Sequence, residues 1–125
     1  MRANVAVGVL VLALCGCAAA PAGPDAPKEV TGQNIAPYAA HEECRALAPG
    51  DRLDYRFSSS SPVAFNIHYH DGKAVVMPLV REGVTADSGI FQPGTAQEYC
   101  LMWEAGGAPV LVSYRIAVRR RGAPP

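Results

Sequence analysis

Two histidines two positions apart make the sharpest chemical signal in this chain. The run Phe65-Asn66-Ile67-His68-Tyr69-His70 alternates apolar with polar residues. In a strand, residues i and i+2 point the same way, so His68 and His70 share a face with Asn66. Two imidazoles about 7 Å apart chelate Zn²⁺ or Cu²⁺ once a third ligand arrives from a neighbouring strand. His41, Glu98, Glu104, Met77 and Met102 are the candidates for that third ligand. No partner motif of fixed spacing accompanies the pair. Three readings therefore stand at this point: a metal site, hydrogen-bonded structural histidines, or two polar residues on a solvated face.

Other constellations offer less. Ala86-Asp87-Ser88-Gly89 resembles the serine context of some proteases, but no Gly-x-Ser-x-Gly elbow is present and Asp-Ser-Gly is ordinary turn chemistry. There is no glycine-rich phosphate loop, no HExxH and no EF-hand loop. The basic run Arg119-Arg120-Arg121 suits either anionic lipid phosphates or a solvated chain end. Trp103, the only tryptophan, sits among apolar neighbours and reads as core rather than as a stacking surface. Lys+Arg 11 against Asp+Glu 11 argues against nucleic acid as a partner. No cofactor is expected and the chain reads as non-catalytic.

The elements that must position these residues are short strands. Gly 12 and Pro 11 in 125 residues favour turns over long helices, and the length allows one small domain. Pro49-Gly50-Asp51 is a turn, after which Leu53, Tyr55 and Phe57 alternate with Arg52, Asp54 and Arg56. Ser58 to Pro62 reads as a loop. Val63, Phe65, Ile67 and Tyr69 then form one face of a second strand, closed by the hairpin signal Asp71-Gly72. Ala74 to Val80 returns as an edge strand, because Pro78 cannot donate to a ladder. Glu82-Gly83 reads as a turn, followed by a weaker strand from Val84 to Phe91. Tyr99, Leu101 and Trp103 face one way and Cys100 and Met102 the other, which predicts a central strand. Val110, Val112, Tyr114, Ile116 and Val118 line the last one. His41 to Ala48 has room for one helical turn, and Lys28 to Ala40 reads as either strand or linker. The expectation is an all-β fold: a small antiparallel β-sandwich braced by one disulfide.

The N-terminus carries an address. Arg2 precedes an apolar run from Val5 to Leu14 that is too short to span a bilayer and fits a signal peptide. Leu14-Cys15-Gly16-Cys17 resembles the lipobox of bacterial lipoproteins. That resemblance implies cleavage ahead of Cys17 and lipid on its thiol and new amine; cleavage at Ala18-Ala19-Ala20 would instead release a soluble product. Ala18 in place of an inner-membrane retention Asp points to the outer membrane, facing the periplasm. Cys44 and Cys100 then remain, and in an exported protein two spare cysteines most simply form one disulfide, with two buried thiols as the alternative. The expected organisation is a signal peptide over 1–16, a lipidated Cys17 and Pro/Ala-rich tether over 17–40, a domain over 41–119 and a polar tail over 120–125.

The segment from Cys44 to Ala117 resembles the GOLD (Golgi dynamics) domain, the luminal β-sandwich of eukaryotic cargo receptors. The likeness runs through Cys44, Pro49-Gly50-Asp51, Tyr55-Arg56-Phe57, Pro62-Val63-Ala64-Phe65-Asn66-Ile67 and Tyr99-Cys100-Leu101-Met102-Trp103. It implies a non-catalytic module that binds protein or lipid. The cargo receptors' coiled coil and C-terminal membrane span have no counterpart in this sequence, so receptor-type sorting is not implied. The expected function is that of a membrane-anchored periplasmic lipoprotein with a binding or scaffolding role toward an envelope partner. A periplasmic metal-binding protein using His68 and His70 is the alternative.

Overall fold

A computed structural model describes Gly16 and residues 25–124. Apart from Gly16, the expected signal peptide and the expected lipid site at Cys17 lie outside the described residues. Six antiparallel strands follow in chain order: β1 (Lys28–Ile35), β2 (Ala40–Leu47), β3 (Arg52–Asp71), β4 (Ala74–Phe91), β5 (Gln97–Ala105) and β6 (Val110–Arg119).

The architecture grows from β3 and β4, a hairpin of 20 and 18 residues turned at Asp71-Gly72. β4 covers one edge of β3 along most of its length. The other edge is shared: Arg52–Ser59 pairs with β6, and Val63–His68 pairs with β5. β6 in turn carries β1, and β5 carries β2. One continuous sheet thus curls into two layers, β1-β6-β3-β4 and β2-β5-β3-β4, that share the bent hairpin.

The bend explains two departures from the sequence reading. Ser58 pairs with Ala86 and Val63 with Val84, so several residues of β3 bulge out opposite Thr85. Ser58 to Pro62 is therefore strand and bend, not the loop that its composition suggests. Glu82-Gly83 is likewise no turn. Val63 pairs with Val84 and Phe65 with Arg81, which leaves those two residues bulged within β4. Gly83 adopts φ 63°, the left-handed conformation that such a bulge requires and glycine tolerates.

Pro78 lies where expected, on a strand that among the described residues pairs on one side only, and Met77-Pro78 form a third bulge opposite His68. The missing N–H falls where the ladder is already interrupted. His41 to Leu47 is strand rather than helical turn, because β2 pairs with β5 through eight consecutive positions from Ala40. Ordered structure also begins before residue 41, since Lys28–Ile35 pairs with β6 as β1.

The core lies between the layers. Leu53, Tyr55, Phe57, Phe65, Ile67, Tyr99, Leu101, Trp103, Val112, Tyr114 and Ile116 are buried there, as their alternation predicts. Trp103 of β5 stacks on Tyr114 of β6 at 4.6 Å, and Phe57 meets Phe65 at 4.6 Å. Cys44 and Cys100 are directly opposed on β2 and β5, and their disulfide is formed.

The C-terminal end is fastened rather than simply solvated. Arg120 donates to both Asp25 carboxylate oxygens, to Asp51 and to the Ala46 carbonyl. Asp51 also accepts the backbone N–H groups of Ala48 and Arg121. Those two backbone donors hold its carboxyl below the ordinary range, against its burial and with help from Arg120.

Candidate functional site

The outer face of the β2-β5-β3 layer gathers the residues that sequence singles out. Pairing sets Cys44, Cys100 and His68 in one row and Glu42, Met102 and Asn66 in the next. His68 is 3% exposed. Its Nδ1 lies 2.8 Å from Asn66 Oδ1 and its Nε2 lies 3.5 Å from Glu42 Oε1. This overturns the solvated-face reading for His68, which the disulfide row and its neighbours cover. His70 is exposed, with its ring edge-on to His68 at 5.3 Å.

Among the described residues, two sets of potential ligands lie close enough to share an ion: Glu42-His68-Cys100 and Cys44-Glu98-Cys100. His70 belongs to neither, and both sets include sulfur that is tied up in the disulfide. Of the proposed third ligands, Glu98 reaches the disulfide. His41 is on the inner face and bonds Tyr114. Met77 and Glu104 are exposed. Asp87 accepts the Tyr55 hydroxyl and pairs with Arg81, while Ser88 is exposed opposite Arg56, so no nucleophile is assembled there. Burial, the Asp87 bond and its charge push the Tyr55 hydroxyl up to about 12.

A polar cluster that sequence reading missed closes the gap between β1 and β2. Glu43, 8% exposed, accepts from Tyr114 Oη at 2.7 Å and from Lys28 Nζ, with Arg45 Nη1 at 3.4 Å. His41 Nε2 lies 2.9 Å from the same Tyr114 hydroxyl. Burial pushes the Glu43 carboxyl up, but the Lys28 and Tyr114 hydrogen bonds and the nearby cations outweigh it and hold it below its usual range. Burial and that carboxylate push the Tyr114 hydroxyl far up, so it stays a donor. No polar–apolar alternation marks this run, since His41, Glu42, Glu43 and Arg45 are all polar, so the sequence carries no signal for which of them turns inward. Trp103 Nε1 is buried with no hydrogen-bond partner among the described residues; Phe57 meets the indole edge-on at 5.8 Å.

Exposed apolar side chains gather along β4. Val75, Val76, Met77 and Val80 are 36% to 48% exposed, and the strand's outer edge pairs with no other element among the described residues. Beside it, Tyr69, Val76, Pro78, Phe91, Thr95 and Tyr99 line an open cleft of about 320 Å³.

Comparison with solved structures finds this architecture elsewhere. Aeromonas hydrophila PliG, a periplasmic lysozyme inhibitor of g-type lysozyme, superposes with a TM-score of 0.57 at 14% identity, over 74% of this chain and 86% of that one. The likeness is one of fold. A de novo designed double-stranded β-helix aligns over 74% of this chain and 97% of its own at 18% identity, with a TM-score of only 0.37, too low to define a shared fold. No protein-family model matches the sequence. No curated protein matches it either.

Proposed function

We propose that this chain is a periplasmic lipoprotein, anchored at the outer membrane through lipid on Cys17, whose GOLD-like sandwich binds a protein partner and performs no chemistry. The observation that carries this reading is the outer edge of β4, unpaired among the described residues, with its apolar side chains. An open edge presents a row of N–H and C=O groups that water satisfies in the free protein and that another extended chain can pair with, and the apolar side chains on either side supply burial. The occupant is thus an extended segment of an envelope protein. Pro78 and the two β4 bulges interrupt the edge, which limits pairing to a short segment and discourages open-ended aggregation. The PliG fold supports the reading, because that neighbour is described as an inhibitor, a protein that works by binding.

Two experiments test it. A photo-crosslinking residue at Val76 should capture a discrete partner in the intact envelope, with g-type lysozyme the first to be tried in purified form. The same probe at Arg56, on the far layer, should not. Equal capture at both positions, or none at Val76, overturns the β4 surface. For the anchor, Cys17→Ala should abolish lipidation and leave unprocessed precursor at the inner membrane; normal processing after Ala20 in that variant overturns the lipoprotein reading.

A further inference from the structure

We propose that His68, Glu42 and the Cys44–Cys100 pair form a redox-gated zinc site, shut while the disulfide is intact and opened when a dithiol reduces it. The proposal stands apart from the partner-binding reading and uses a different face.

The two potential ligand sets share Cys100, and in each the donor atoms lie within 4.8 Å of one another. The two sets meet at Cys100, and between them they bring two sulfurs, one imidazole and the carboxylates of Glu42 and Glu98 to the outer face. Two thiolates, an imidazole and a carboxylate make a four-donor set that suits tetrahedral zinc. His68 is already oriented for the task. A neutral imidazole carries one N–H, and donating it from Nδ1 to Asn66 leaves the Nε2 lone pair facing Glu42 Oε1 at 3.5 Å. Two lone-pair donors facing each other at that distance favour a cation between them. Holding one ring nitrogen with a hydrogen-bond acceptor while the other points at the ion is the usual arrangement of metal-binding histidines.

The disulfide decides whether the site exists. With the S–S bond formed, the sulfurs carry no charge, and His68 and Glu42 are left as two donors. A dithiol reductant transfers two electrons and two protons to Cys44 and Cys100 and leaves as its own disulfide. The two thiols then lose their protons to solvent as they take up Zn²⁺. Thiolates about 2.3 Å from one zinc stand about 3.7 Å apart. Directly opposed residues whose Cα atoms are 4.0 Å apart reach that spacing by side-chain rotation. The eight paired positions of β2 and β5 hold the register once the bond is open. Bound zinc would also block the sulfurs from closing again, so the metal would preserve the reduced state.

The test uses the full-length chain carrying Cys15→Ser and Cys17→Ser, so that only Cys44 and Cys100 can supply thiols. Co²⁺ and then Zn²⁺ are titrated with and without a phosphine reductant, with circular dichroism followed throughout. The reduced protein should take one Co²⁺ with a sulfur-to-cobalt charge-transfer band and tetrahedral d–d bands, both erased by Zn²⁺. The oxidised protein should show neither. His68→Ala should weaken Zn²⁺ binding at least tenfold with the β signal kept, and His70→Ala should leave it unchanged. No charge-transfer band on reduction, equal affinity in His68→Ala, or loss of the β signal before metal binds would each overturn the site.

Discussion

His68 is buried and hydrogen-bonded to Asn66, whereas His70, two positions on, stands in solvent. Removing the buried ring leaves Asn66 without its partner. His68→Ala should therefore cost about 1–3 kcal/mol in chelator, while His70→Ala should fall within about 0.5 kcal/mol of the parent. Urea titration of the two variants separates them, and equal losses would contradict the burial. Glu43 is the other residue with large leverage. Glu43→Ala strips Tyr114 and Lys28 of a shared acceptor and should cost about 2–3 kcal/mol. Its pH behaviour follows from the lowered carboxyls of Glu43 and Asp51. Their contribution is whole above the range where unfolded carboxylates titrate, about pH 4 to 4.5, and is lost as pH falls on through the lower folded values. The urea midpoint should hold steady from neutral pH to about 5 and drop steeply below about 4. Glu43→Gln should make that drop shallower.

Elements here are joined by strained or bulged residues, and these sites have opposite signs. Tyr38, between β1 and β2, has φ 58° and is 81% exposed, so it bears a left-handed backbone with little packing in return. Its N–H still bonds the Gly106 carbonyl, so the conformation is imposed by tertiary contact. Tyr38→Gly should raise stability by about 0.5–1 kcal/mol, since relief of an unfavourable φ outweighs the entropy of the more flexible unfolded chain. Gly83→Ala places a side chain at φ 63° in the β4 bulge and should cost about 1 kcal/mol. A matched pair of thermal melts checks both. A loss in Tyr38→Gly would mean that the ring supplies packing that its exposure does not reveal.

At the scale of the whole molecule, strands far apart in sequence are pinned at two places. Arg120 fastens the end of β6 to Asp25 and Asp51, and the disulfide joins β2 to β5 across a separation of 56 residues. Closing a loop of that length constrains the unfolded chain by about 4 kcal/mol in the entropic model. A domain of this size shifts its midpoint by about 4–8 °C per kcal/mol. Cys100→Ser should therefore lower the melting temperature by well over 10 °C. A shift of a few degrees would mean that the eight-residue β2–β5 ladder holds the chain nearly as well without the bond.

What the sequence by itself determined are properties decided within a few residues. Leu53, Tyr55 and Phe57, and Tyr99, Leu101 and Trp103, turned to the core because alternation is a local pattern. Asp71-Gly72 made its hairpin and Pro78 marked an edge for equally local reasons, and an even count of spare cysteines was enough to pair Cys44 with Cys100. The tertiary structure decided everything that depends on which strand lies beside which. Ser58 to Pro62 and Glu82-Gly83 became bulges only because β3 must leave β6 and join β5 while β4 follows it round. His68 is buried on an outer face because Cys44, Cys100 and Glu42 come over it from other strands. Glu43 became an ion-pair centre because β1 and β6 bring Lys28 and Tyr114 to it. No short window of sequence carries such information, since burial and pairing across layers are set by contacts between residues tens of positions apart.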